Sequence, residues 1–130
     1  MIYIEKNQLN NFVLTLTENS RISNPNYLFE FKNEFILNSA PIYWTAPDIS
    51  NYTNRYNQFQ LNEAASGSTS GGTSGATLSL VGGQYAYTVY ESSASTLSIS
   101  ATTGRIIEEG RMVVAIENLI TTGITNNIYI

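Results

Sequence analysis

The chain alternates apolar and polar residues with period two in several places, the pattern of strands with one buried face. It almost nowhere shows the spacing of an amphipathic helix. Across residues 11–17, Phe12, Leu14 and Leu16 share one side while Val13, Thr15 and Thr17 share the other. Glu18, Asn19 and Ser20 supply turn chemistry. A second run over 26–32 sets Tyr27, Phe29 and Phe31 against Leu28, Glu30 and Lys32. Segment 35–44 mixes apolar residues with Asn38, Ser39 and Pro41 and predicts one or two short strands, or an edge strand that tolerates proline. Beyond Pro47 and a polar stretch, alternation returns over 55–61, with Phe59 and Leu61 expected in the core.

Residues 64–76 read AASGSTSGGTSGA, with no charge and no aromatic ring. Such a stretch buries too little apolar surface to offset its ordering entropy, which predicts a flexible surface loop projecting from an elongated hairpin. A strand over 77–81 and a turn at Gly82-Gly83 come next. Residues 84–91 then alternate again, with Tyr85, Tyr87 and Val89 opposing Ala86, Thr88 and Tyr90. After a Ser/Thr-rich segment, 105–108 and 111–117 read as a hairpin turned at Glu109-Gly110, with Met112, Val114 and Ile116 inward. The end of the chain, 118–130, is a short β-prone tail. The expectation is an all-β, antiparallel sandwich of seven or eight short strands in one domain spanning 1–130.

Composition narrows the chemistry. Charged residues make up only 12% of the 130, and polarity comes instead from 15 Asn, 14 Ser and 14 Thr. With no histidine and no cysteine, the commonest general base, the thiol nucleophile and the usual zinc ligands are missing. Net charge is −4, and the six Lys and Arg residues are scattered, which argues against a nucleic-acid partner. The apolar opening at Met1–Ile4 is too short for a signal-peptide core or a membrane span, so the expected chain is made in the cytoplasm and has no membrane partner.

The only carboxylate grouping is Glu108-Glu109 with Glu91 on a neighbouring strand, and adjacent strand residues face opposite sides, so the pair reads as a solvated turn. No metal-ligand spacing, phosphate loop or nucleophile elbow is present, and neither a cofactor nor a metal is expected. Tyr43, Trp44, Tyr52 and Tyr56 stand among Asn51, Asn54 and Asn57. Aromatic faces with amides suit core packing, a subunit contact or a sugar ring. The terminal segments containing Ile2, Tyr3 and Ile4, and Ile128, Tyr129 and Ile130, are candidates for strand pairing with a neighbour.

Several of these runs carry a resemblance. They are Asn11-Phe12-Val13-Leu14-Thr15-Leu16-Thr17, Tyr27-Leu28-Phe29-Glu30-Phe31, Arg55-Tyr56-Asn57-Gln58-Phe59, Gly83-Gln84-Tyr85-Ala86-Tyr87-Thr88-Val89-Tyr90-Glu91 and Ile107-Glu108-Glu109-Gly110-Arg111-Met112-Val113-Val114. In this order the chain resembles small virion proteins of tailed phages that infect Bacteroidetes, including crAss-like phages. The resemblance implies an Ig-like β-sandwich present in many copies on the virion, as a head decoration, a head-fibre anchor or a tail component. The implied partners are other virion proteins and further copies of the chain, and no catalytic residue is implied. The short tail departs from receptor-binding fibres. The alternative function is a carbohydrate-binding module or adhesin built on Tyr43, Trp44, Tyr52 and Tyr56. An enzyme would require Glu91, Glu108 or Glu109 to meet in a cleft.

Overall fold

A computed structural model describes residues 1–22, 25–36, 40–69, 71 and 74–115. Among the described residues seven strands form: β1 (Ile2–Ile4), β2 (Leu9–Leu14), β3 (Asn26–Asn33), β4 (Ile42–Thr45), β5 (Asn57–Ser68), β6 (Gly83–Ser92) and β7 (Ile106–Val114). Two single-turn 3-10 segments, Thr17–Asn19 and Ile99–Ala101, are the other regular elements there. One sheet has the order β1-β7-β6-β3-β4, and β2 pairs with β5 in a second. The fold is therefore the expected all-β sandwich.

The alternation read from the sequence places the core. Phe12, Leu14 and Leu16 from the small sheet meet Tyr27, Phe29, Phe31, Tyr85, Tyr87 and Val89 from the large one, all buried. At the centre Phe29 packs edge-on against Phe59 with ring centroids 5.0 Å apart and against Trp44 at 5.3 Å. Phe12 bridges the sheets, 5.9 Å from Phe29 and 5.7 Å from Phe59. Such edge-to-face contacts add to the burial of large rings, and a chain without disulfides draws its stability from packing of this kind.

Three expectations are corrected. First, the large sheet is mixed, because β1 runs parallel to β7 with Ile2, Tyr3 and Ile4 opposite Met112, Val113 and Val114. Residue 5 onward carries the chain across to the second sheet, so β1 and β2 are not a hairpin.

Second, 105–117 is no hairpin. Glu109-Gly110 lies inside the continuous strand β7, paired with Thr88 and Tyr87 of β6. The glycine that suggests a turn serves close packing instead. The Tyr87 ring covers Gly110, where a Cβ would lie 2.8 Å from ring atoms. Irregularity sits at Ile107, the extra residue between the Tyr90–Ile106 and Val89–Glu108 pairs. This bulge turns both Ile107 and Glu108 toward the inner side. Ile116 lies outside the described residues.

Third, the Gly/Ser/Thr stretch at 64–76 does not project as a loop throughout. β5 continues to Ser68, with Ser68 N donating to Thr77 O at 2.9 Å and Ser79 N to Ser68 O at 2.9 Å. The strand expected over 77–81 reduces to isolated bridges at Leu78. Farther on, Gly75 N donates to Thr45 O at 2.7 Å and the Trp44 indole N–H donates to Ala76 O at 3.0 Å. The segment thus covers the outer edge of β4. Gly71 has φ +117°, and a Cβ there would sit 2.2 Å from Tyr43 O. The small residues that predicted disorder are what allow one backbone to approach another this closely.

Candidate functional site

The inward register runs on past the apolar positions and places two carboxylates inside the sandwich. Glu63 comes after Phe59 and Leu61 on the inner side of β5, and Glu91 after Tyr85, Tyr87 and Val89 on β6; both are buried. Buried charges need partners, and each Glu has them. Glu63 accepts from Asn7 N and Leu80 N, both at 2.8 Å, with Lys6 Nζ 3.8 Å away. Glu91 accepts from Ser20 Oγ at 2.8 Å and Arg21 N at 3.0 Å, with Arg105 Nη1 at 3.6 Å. Each carboxylate ties loops to a strand, Glu63 through two backbone N–H groups and Glu91 through one backbone N–H and two side chains.

The grouping of Glu91, Glu108 and Glu109 does not converge. Glu109 is exposed opposite Thr88 on the outer face of the large sheet. Glu108 accepts a hydrogen bond from the Tyr87 hydroxyl at 2.9 Å. Burial, followed by that bond and the Glu108 charge, pushes the Tyr87 phenol well above the ordinary tyrosine range. Among the described residues no three metal-ligating side chains come together.

The four aromatic candidates divide. Trp44 is 1% exposed and packs in the core, since its register position on β4 faces inward; it presents no face to a ligand. Tyr43, one residue earlier, turns to the outer side and donates to Glu30 Oε2 at 3.0 Å. Tyr52 and Tyr56 lie together in the loop before β5, ring centroids 6.4 Å apart, with Tyr52 60% exposed. That loop also supplies Thr53 and Asn54 to an open cleft of about 690 Å³, bounded further by Ser20, Arg21, Tyr27 and Asp48. Asp48 is already engaged: Oδ1 accepts from Ser50 N and Gln58 N, both at 3.0 Å, and Oδ2 from Asn57 Nδ2 at 2.6 Å. Asn57 in turn accepts from Leu16 N at 2.7 Å, so these groups brace the end of the sandwich.

The other candidate surface is made of strand edges. Among the described residues β2 pairs with β5 on one side alone, and its outward residues Leu9, Asn11 and Val13 lie opposite Asn62, Gln60 and Gln58. This face carries no charge, and β2 has neither the lysine nor the proline that ordinarily blunts an edge. Across from it runs β7, whose outer edge is covered by β1 over Met112–Val114. Asn19 Nδ2 donates to Ile107 O at 3.2 Å. Between these two, Glu108–Arg111 has no strand beside it among the described residues. The two edges flank an open groove of about 380 Å³, with Met1, Val13, Leu14 and Tyr87 and the carboxylates Glu108 and Glu109 along its walls.

The terminal candidates also divide. Ile2 and Ile4 are fully buried in the chain's own core, and only Tyr3 between them is exposed. Ile128, Tyr129 and Ile130 lie outside the described residues. The uncovered stretch of β7 is hidden from sequence reasoning, because Glu109-Gly110 in isolation has the chemistry of a turn. No protein-family model, no curated protein and no solved structure matches the chain.

Proposed function

We propose that this chain is a non-enzymatic structural component of a tailed-phage virion, an auxiliary or fibre-anchoring protein of the head or a connector of the tail, held in many copies against neighbouring virion proteins. The virion setting comes from the resemblance of its strand motifs. The observation that supports the assembly role is that two strand edges, those of β2 and β7, have no strand beside them among the described residues and stand next to the uncharged outer face of β2 and β5. Uncovered edges recruit further strands through main-chain hydrogen bonds, and an uncharged face docks without stripping water from ions. Modest contacts of this kind suffice when copies are repeated on a lattice, through effective concentration. The buried carboxylates Glu63 and Glu91 are engaged in bracing the fold, which supports a role without turnover.

Mass spectrometry of purified particles tests the reading: the chain is expected in many copies per particle, and its absence would remove the proposal. A second reading is favoured by the Tyr52–Tyr56 pair, with Tyr52 exposed, in the loop that supplies Thr53 and Asn54 to the polar cleft, which suits a sugar ring and its hydroxyls. On a glycan array this reading requires binding that Tyr52→Ala abolishes with the fold intact. Trp44→Ala is unsuitable for that test, since it empties the core.

A further inference from the structure

The first strand and the last three residues have the same sequence. Ile2-Tyr3-Ile4 forms β1, and Ile-Tyr-Ile recurs at 128–130. The structure shows what this tripeptide does at the edge of β7: its two isoleucines are fully buried, its tyrosine is 54% exposed, and it lies in register with Met112–Val114. Immediately beyond it on the same edge is the stretch Glu108–Arg111, which has no strand beside it among the described residues and is bounded by β1 at one end and by the Asn19 amide at the other. The vacant stretch is long enough for one more strand of three residues.

Its backbone geometry matches as well. Ala115 N donates to Ile4 O at 2.8 Å, and N–H groups alternate along a strand, so those of Glu109 and Arg111 point out of the same edge. Beneath the edge, the groove of about 380 Å³ is bounded by Val13 and Leu14 of β2, by Tyr87 and Gly110, and by the carboxylates Glu108 and Glu109 at its rim. Glu108 and Gly110 lie on its inner side, opposite Val89 and Tyr87. An Ile-Tyr-Ile strand centred on Glu109 therefore directs both isoleucines into the groove and the tyrosine outward, as β1 does.

We infer that residues 128–130 of a second copy of this chain add to the uncovered edge of β7 at Glu108–Arg111, extending the row that β1 begins. The second copy is favoured over the chain's own tail by where the chain leaves the sheet. Ala115 lies at the far end of β1 from the gap, so a returning tail has to double back along the length of β1 before it can pair there. A neighbour's tail enters from the open side. An extended chain at about 3.3 Å per residue carries Ile128 about 43 Å from Ala115, enough to span to an adjacent copy. This inference rests on the multi-copy reading above and names the contact that joins the copies.

The chain has no cysteine, which makes a cross-linking test unambiguous. Tyr129 falls opposite Glu109 in either strand direction, and paired strands lie about 4.8 Å apart, within the span of a disulfide. One full-length chain carries Tyr129→Cys and another carries Glu109→Cys, an exposed position; the two are mixed under mild oxidation. The expected result is a disulfide-linked heterodimer, lost when Ile128→Lys and Ile130→Lys are added to the first chain. A disulfide that forms only within one chain carrying both cysteines would overturn the inference, as would no disulfide in either arrangement. Sedimentation of the unmodified chain separates the two levels. Oligomers without the heterodimer cross-link leave the assembly reading standing and reject this contact, whereas a monomer at every concentration, absent from particles, rejects both.

Discussion

Replacing Glu63 tests whether a carboxylate in the core register holds the sandwich together. Its two oxygens accept backbone N–H groups from two separate segments, Asn7 and Leu80, each at 2.8 Å, and its side chain is fully buried. Hydrogen bonds to a charged group contribute about 1.5–3 kcal/mol each, and a donor left buried without a partner costs about 1–3 kcal/mol. Glu63→Ala removes both acceptors and leaves Lys6 beside an empty site, for an expected loss of about 3–5 kcal/mol. Glu63→Gln keeps one carbonyl oxygen but turns an NH2 group toward the second N–H, for about 2 kcal/mol. Lys6→Ala is expected to cost no more than about 1 kcal/mol, because the ammonium is 3.8 Å away, 22% exposed and screened. Urea denaturation monitored by far-UV circular dichroism measures all three. With a slope of about 2 kcal/mol per molar, the Ala variant moves the midpoint down by about 2 M. Losses under ~0.5 kcal/mol for both Glu63 variants would refute the reasoning. A Lys6→Ala loss larger than that of Glu63→Gln would show that the Lys6 ammonium, through its charge and its bond to Leu80 O at 2.7 Å, and not acceptance by Glu63 from the backbone, fastens β5.

Two further outcomes are expected. Gly67→Ala places a Cβ 2.5 Å from the Leu78 carbonyl carbon and is expected to cost about 1–3 kcal/mol by chemical denaturation, while Ala65→Ser, an exposed site on the same strand, stays within ~0.5 kcal/mol. Stability is also expected to fall in alkali. Burial raises the phenols of Tyr27, Tyr85 and Tyr87 above the ordinary value of 10.0, so the unfolded chain releases these protons first. Their contribution is complete below pH ~10 and is lost as the pH rises toward the folded-state values. Tyr87→Phe should flatten this decline in a pH series of denaturation midpoints, and an unchanged decline would count against Tyr87 as a contributor.

Period-two alternation is enough to locate β2, β3 and β6 and most of their buried faces, because a strand's side chains take alternate sides whatever the partner is. The same arithmetic, carried two residues further, reaches Glu63 and Glu91, but a carboxylate at an inward position reads as a strand end until its donors are known. Those donors, at Asn7, Leu80, Ser20 and Arg21, come from loops remote in sequence. Trp44 is ambiguous for a related reason: aromatic residues crowded among asparagines look alike whether a ring faces the core or solvent, and pairing with Phe29 on β3 decides that it faces inward.

Residue type and parity alone set the all-β class, the absence of disulfides, the low charge and the apolar stripes. The parallel placement of β1, the passage of β7 straight through Glu109-Gly110 and the seating of the glycine stretch along β4 emerge only once the sheets are packed. Each of these depends on what lies across from a residue and not on its neighbours along the chain. A glycine is the same letter in a turn, beneath a tyrosine ring or against another backbone, and the excluded volume of the neighbour chooses among them.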